Sequence, residues 1–119
     1  MMNPRELGDY LPLSAVEFLV LLVLNDGDSH GYAIVKDIER RSDGQISLLP
    51  GNLYAILQRL SESELIRRTE PAEGDDVDRR RRYYRVTDLG RDVAAAEAAR
   101  MKRMVEAAAA GDLLGDAAP

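Results

Sequence analysis

Two short stretches carry side chains suited to nucleic acid. Arg79–Arg85 reads RRRRYYR, five arginines and two tyrosines in seven residues. Guanidinium groups bind phosphate oxygens in a fixed fork, and a tyrosine hydroxyl can donate to phosphate. The second stretch, GNLYAILQR over Gly51–Arg59, sets Asn52, Tyr54, Gln58 and Arg59 among apolar residues. Asn and Gln can form bidentate bonds to adenine and Arg to guanine or phosphate, while the small Ala55 leaves room for a base edge. Chemistry of this kind requires only that groups be presented; no bond is made or broken.

Other chemistry finds few starting residues. The chain has no cysteine and a single histidine, His30. Disulfides, thiolate metal sites, cysteine nucleophiles and a histidine-based triad are therefore not expected. His30 reads as a surface residue or the residue before a helix. Acidic pairs such as Asp75-Asp76 sit in a loop, and no Gly-rich phosphate cradle occurs. The expectation is a protein that is not an enzyme and uses no cofactor or metal.

The formal charge of −5 opposes nucleic acid only as an average. From Lys36 to Arg85 there are 11 basic and 10 acidic residues, and the remainder has 5 basic and 11 acidic. Local sign governs phosphate contact, so the basic middle leaves DNA open as a partner. The longest apolar run, FLVLLVL at Phe18–Leu24, is far shorter than the roughly 18 residues of a membrane span. The N-terminus lacks a basic segment followed by an apolar one, so no signal peptide is expected. These features predict a cytoplasmic protein with no membrane partner.

The candidate residues must be positioned by a small set of elements. Ser14 and Glu17 form a capping box ahead of a helix over Ser14–Asn25 that is apolar nearly all round and needs cover on more than one side. DGDSHG at Asp26–Gly31 reads as a turn. A second helix follows, with Gly31, Ile34, Val35 and Ile38 on one face, and RSDG at Arg41–Gly44 ends it. Gln45–Leu49 reads as a short extended stretch. Pro50-Gly51 opens a third helix, whose inner stripe is Leu53, Ile56, Leu57 and Leu60. Gly51, Ala55, Gln58 and Glu62 then lie opposite the core, with Tyr54 on one flank and Asn52 and Arg59 on the other. Leu65–Glu70 and Arg81–Thr87 read as two strands around a long loop containing Glu73, Asp75, Asp76 and Asp78. Thr87 caps a last helix over Asp88–Ala110, roughly 35 Å long at 1.5 Å per residue.

Three helices, a β-hairpin and a long helix make a mainly α fold, a winged helix-turn-helix with a long C-terminal dimerisation helix. The predicted divisions are a DNA-binding domain over 1–87, the dimerisation helix over 88–110 and a disordered tail over 111–119. Ala94, Ala98, Met101, Val105 and Ala108 follow spacings of four, three, four and three along the last helix. That heptad-like seam of mostly small residues predicts a homodimer interface.

HGYAIVKDI at His30–Ile38, GNLYAILQRL at Gly51–Leu60 and RRYYRVTDLG at Arg81–Gly90 together resemble the PadR family of bacterial transcriptional regulators, from about Leu13 to Met104. The resemblance implies a winged helix-turn-helix that dimerises through its C-terminal helix. It also implies a repressor released by a small molecule or a stress signal, and the single short C-terminal helix resembles the smaller subgroup. By position, Gly51, Asn52, Tyr54, Ala55, Gln58 and Arg59 match the DNA-reading part of the recognition helix. Arg81, Arg82, Tyr83 and Tyr84 match the wing strand, and Gly31 and Tyr32 match the second-helix signature. Ala55 stands where proline is usual and Asn52 where threonine or serine is common. The chain has no tryptophan, so the tryptophan-lined drug pocket of multidrug-sensing relatives does not carry over.

Two functions are compatible with this sequence. One is a dimeric repressor on double-stranded operator DNA, with a small-molecule effector of unknown identity. The other is a winged-helix module for protein–protein interaction, for which the net charge and the acidic loop speak.

Overall fold

The computed structural model describes residues 4–70 and 81–115, and the acidic loop together with Arg79 and Arg80 lies outside them. The elements in chain order are α1 (Pro4–Gly8), α2 (Ala15–Asn25), β1 (Ser29–His30), α3 (Gly31–Arg41), α4 (Pro50–Glu62), β2 (Ile66–Thr69), β3 (Tyr83–Val86) and α5 (Asp88–Ala110). No helix among the described residues is long and apolar enough to cross a membrane.

Local signals set the helix ends. At α2 the capping box forms: the Glu17 amide donates to Ser14 Oγ, and the Ser14 amide donates to the Glu17 carboxylate. Gly44, at φ +76°, closes α3 with its amide on Glu39 O at 2.8 Å, a left-handed conformation that favours glycine. Thr87 Oγ1 accepts from Gly90 N–H to cap α5. At Gly90 two segments of the backbone approach so closely that a Cβ would stand 2.0 Å from Leu65 O. Only glycine lets the first turn of α5 lie against the start of the wing.

The helical stripes meet in one core. Ile34 and Ile38 of α3 and Leu53, Leu57 and Leu60 of α4 are buried, with Val35 and Ile56 at its edge. Val20, Leu21, Val23 and Leu24 of α2 complete it with Leu65, Ile66, Tyr84, Val86 and Val93. Each fully buried Leu or Ile contributes about 1.5–3 kcal/mol of transfer free energy. The all-round apolar α2 finds much of its cover within the chain, packed by α3, α5 and β3. Phe18 and Leu22, one turn apart, are half-buried and stay outside the core.

The expected hairpin forms between β2 and β3, and the reading of Asp26–Gly31 as a turn alone needs correcting. The hairpin is part of a three-stranded antiparallel sheet of order β1-β3-β2, in which Ser29 and His30 pair with Tyr84 and Tyr83. The stretch read as a turn thus ends in a two-residue strand, because β3 offers a free edge there. The five-residue α1 was not foreseen; Leu7 packs it against the core. Gln45–Leu49 forms no regular element. After α5, the amides of Gly111 and Leu113 turn back onto Ala107 O and Ala108 O at 3.0 and 2.9 Å. Residues 116–119 of the expected tail lie outside the described residues.

Candidate nucleic-acid interface

Because Leu53, Leu57 and Leu60 take the inner face of α4, Gly51, Asn52, Tyr54, Ala55, Gln58 and Arg59 all emerge on its exposed side. Pro50 occupies the first turn without a side-chain cap before it. Gly51 faces open space, with nothing within 4 Å of a Cβ built there. Tyr54 is half-exposed, its ring beside Gly31 of α3. Gln58 Nε2 donates to Glu62 Oε1 at 3.3 Å, which holds the amide on the surface. Arg59 leans back toward α2, with Nη2 3.8 Å from Glu17 Oε2.

The wing side chains divide between two faces of β3. Tyr84 and Val86 turn inward, and Tyr83 and Arg85 turn away from the core. Tyr84, only 6% exposed, is a core residue, unlike the other expected contacts. It reaches the floor of a cleft of about 610 Å³ that Tyr54 and Gln58 line from α4, with Arg67, Arg68 and Arg82 from the wing. Arg81 lies on the opposite face with Tyr83 and His30. The His30 and Tyr83 rings meet edge-on, 5.2 Å between centroids. Arg85 is engaged within the fold, its guanidinium forked onto Asp28 at 2.8 to 3.2 Å.

Arg67, Arg68, Arg81 and Arg82 have no carboxylate partner among the described residues, whereas Arg40, Arg41, Arg85, Arg91 and Arg100 are ion-paired. The unpaired guanidiniums flank the exposed face of α4. They can accept an anion without first surrendering a carboxylate of the described residues. Arg67 and Arg68 were not singled out in the sequence. Their signal lay in IRRT, a strand with two adjacent arginines, and its value appears only once pairing with β3 sets Arg68 opposite Tyr84, on the α4 side, and Arg67 opposite Arg85, at the edge of the same cleft.

His30 begins α3 as expected of a residue at a helix start, with Nδ1 accepting from Ala33 N–H at 3.3 Å. Burial, and then the charge of Arg81, lower its pKa below the ordinary value. Among the described residues no group of three or more His, Asp or Glu side chains could hold a metal ion.

Along α5, Ala94 packs against the core and Met101 and Ala108 are half-buried, while Ala98 and Val105 are exposed. Glu97, on the same face, is 1% exposed and was not anticipated. Its carboxylate accepts from the Leu13 amide and from Arg100, which fixes α5 to the segment before α2.

Residues 20–96 match the family model described as the transcriptional regulator PadR-like family. An uncharacterized protein X of Lysinibacillus sphaericus is 34% identical over 77 residues, 64% of this chain and 68% of that one. Two further relatives are longer proteins, of which this chain spans 23% and 25%. A PadR family transcription regulator from Clostridium difficile superposes with a TM-score of 0.68 at 25% identity, over 84% of this chain and 98% of that one. Bacillus subtilis PadR, solved in complex with operator DNA, superposes with a TM-score of 0.57 at 20% identity, over 71% of this chain and 46% of that one. By its family match, its winged fold and its order of elements, the chain belongs to the PadR-like family of transcriptional regulators.

Proposed function

We propose that this regulator binds operator DNA as a homodimer and represses transcription, with α4 in the major groove and the wing on the backbone. The observation that carries the reading is the set of guanidiniums without a carboxylate partner among the described residues, Arg67, Arg68, Arg81 and Arg82, around the exposed face from Gly51 to Arg59. The operator complex of Bacillus subtilis PadR supports the choice of DNA as partner. Asn52, Tyr54, Ala55 and Gln58 are assigned to base edges and Arg59 to its neighbouring phosphate or guanine. Arg81, Arg82 and Tyr83 are assigned to the backbone, and Tyr84 to supporting the wing from within. Release by a small molecule or stress signal is carried over from the family resemblance. The predicted divisions, with the DNA-binding domain over 1–87 and the dimerisation helix over 88–110, belong to the same reading.

A mobility shift on the DNA beside the protein's own gene, titrated with salt, tests this. The expected outcome is a specific complex whose affinity falls steeply with salt. In a binding-site selection, Asn52→Ala and Gln58→Ala should relax base preference, since a good bidentate pair discriminates by roughly 1–3 kcal/mol. Binding with no preference for that DNA over random duplex would favour the protein-interaction module instead.

A further inference from the structure

A second basic cluster sits on the far side of the wing from Arg82. His30 Nδ1 accepts the Ala33 amide hydrogen, so a neutral ring carries its own hydrogen on Nε2. That Nε2 lies 3.1 Å from Arg81 Nη1, which is also a donor. Two donors therefore face each other. The opposite tautomer merely moves the conflict, setting Nδ1–H against the Ala33 amide. The amide is fixed by α3, whereas Arg81 is exposed. The pair lacks an acceptor between them.

The surroundings are cationic. Tyr32, 65% exposed, has Lys36 Nζ 5.8 Å and the Arg81 guanidinium carbon 6.0 Å from its ring centroid. Asp37 is the carboxylate on the rim of this hollow of about 550 Å³, and Arg40 and Arg41 already bind it. Lys36, like Arg81, has no carboxylate partner among the described residues. Tyr32 and Lys36 also line a groove with Pro50, Leu53 and Tyr54, which makes this surface continuous with the start of α4.

We propose that His30, Tyr32, Lys36 and Arg81 hold one phosphate of the DNA backbone, flanking the stretch that α4 reads. This rests on the DNA-binding reading and adds to it a contact point on α3. One phosphate oxygen takes both the His30 Nε2–H and the Arg81 guanidinium, which resolves the donor–donor contact. A second takes the Lys36 ammonium, with the Tyr32 hydroxyl within the same hollow. A free phosphate has the same oxygens, so the source must be separated by experiment.

The full chain is titrated with specific and random duplex over a range of salt, for the wild type and for Lys36→Gln, Tyr32→Phe and His30→Asn. Asparagine keeps a capping oxygen at the start of α3 but cannot reach the anion, and thermal melts verify that each variant folds. Lys36→Gln should reduce the slope of log affinity against log salt by about one, equally on both duplexes. His30→Asn should weaken both by about tenfold, the loss of a charge-assisted hydrogen bond. Millimolar inorganic phosphate should compete no better than chloride of equal ionic strength. If it competes strongly, the cluster serves a small phosphate ligand, and the assignment to the DNA backbone is overturned. Folded Lys36→Gln and His30→Asn with wild-type affinity and slope also overturn it, while leaving α4 and Arg82 as the DNA surface. A wild type that binds no duplex removes the DNA reading itself, and this site with it.

Discussion

Gly51 tests whether an exposed residue is shaped by the fold or by a partner. A Cβ there meets nothing within 4 Å, and glycine inside a helix costs about 0.5–1 kcal/mol relative to alanine. The free protein gains nothing from it. Gly51→Ala should therefore stabilise the chain by about that amount in denaturant melts and weaken specific DNA binding, because the backbone of α4 can no longer approach as closely. A variant that is both more stable and fully active would show that the first turn of α4 stays clear of DNA. His30 carries a second prediction. Burial, then the positive Arg81, lower its pKa from the ordinary 6.5, so the unfolded chain takes up a proton before the folded one does. Stability is thus fully present above pH 6.5 and is lost as pH falls from there through the lower folded value. Protonation also removes the Nδ1 lone pair that caps α3. The melting temperature of the wild type should drop between pH 7 and 5 by more than that of His30→Asn, which cannot titrate. Equal drops would assign the loss to other groups. Asp37 does not confuse this window. Burial raises its pKa, but hydrogen bonds from Arg40 and Arg41 outweigh that and hold it below 3.8, so its loss comes at more acid pH.

At the scale of elements, the wing arginines divide between the two faces of the sheet. Arg82 shares a cleft with Arg67, Arg68 and Gln58, while Arg81 shares one with His30 and Tyr32. Replacing Arg68 and Arg82 together by Gln should lower the salt slope by about two and weaken specific and random DNA alike. An unchanged slope would mean that this side of the wing is held off the backbone, as neutralisation by the acidic loop residues would do. The helices were legible because their apolar spacing and end signals agree: Ser14 with Glu17 for α2, Pro50 for α4, and Thr87 for α5 over the same Asp88–Ala110 span as expected. A two-residue strand and a five-residue helix have no periodicity to read, and β1 exists only because β3 comes to pair with it. The exposed placement of the candidate residues was legible where side chains project from a helix of known inner face. It was not legible in the sheet, where register sends Tyr84 into the core and brings Arg68, opposite it on another strand, up to α4. Glu97 was hidden for a similar reason: its partner Leu13 is 84 residues away in the chain.

For the whole molecule, shape is the informative quantity. A compact chain of this length has a radius of gyration of about 13.5 Å, whereas this one measures 16.0 Å with extents of 51 × 34 × 26 Å. The excess follows from α5. Its buried residues, Gly90, Val93 and Glu97, all lie in its first half. Beyond Arg100 none is buried, and Met104 and Val105 are 58% and 55% exposed. Helical propensity alone is a weak reason for this alanine-rich half to remain an isolated arm. A second copy, laying its own α5 along Ala94, Ala98, Met101, Val105 and Ala108, would cover the arm. The half-buried Phe18 and Leu22 of α2 offer the partner further apolar surface. Glu97, tied to the Leu13 amide, would then pass the geometry of the seam directly to the DNA-binding domain. In such a dimer the two copies of α4 would need to meet successive major grooves, about 34 Å apart, for both half-sites to be read. Met101→Glu with Val105→Glu brings four carboxylates to a two-fold seam, where unpaired buried charge is strongly unfavourable. The double variant should sediment as a folded monomer and bind operator DNA at least about a hundredfold more weakly, since linked half-sites lose their mutual effective concentration. A wild type that is monomeric at micromolar concentration, or a double variant that stays dimeric, would place the seam elsewhere.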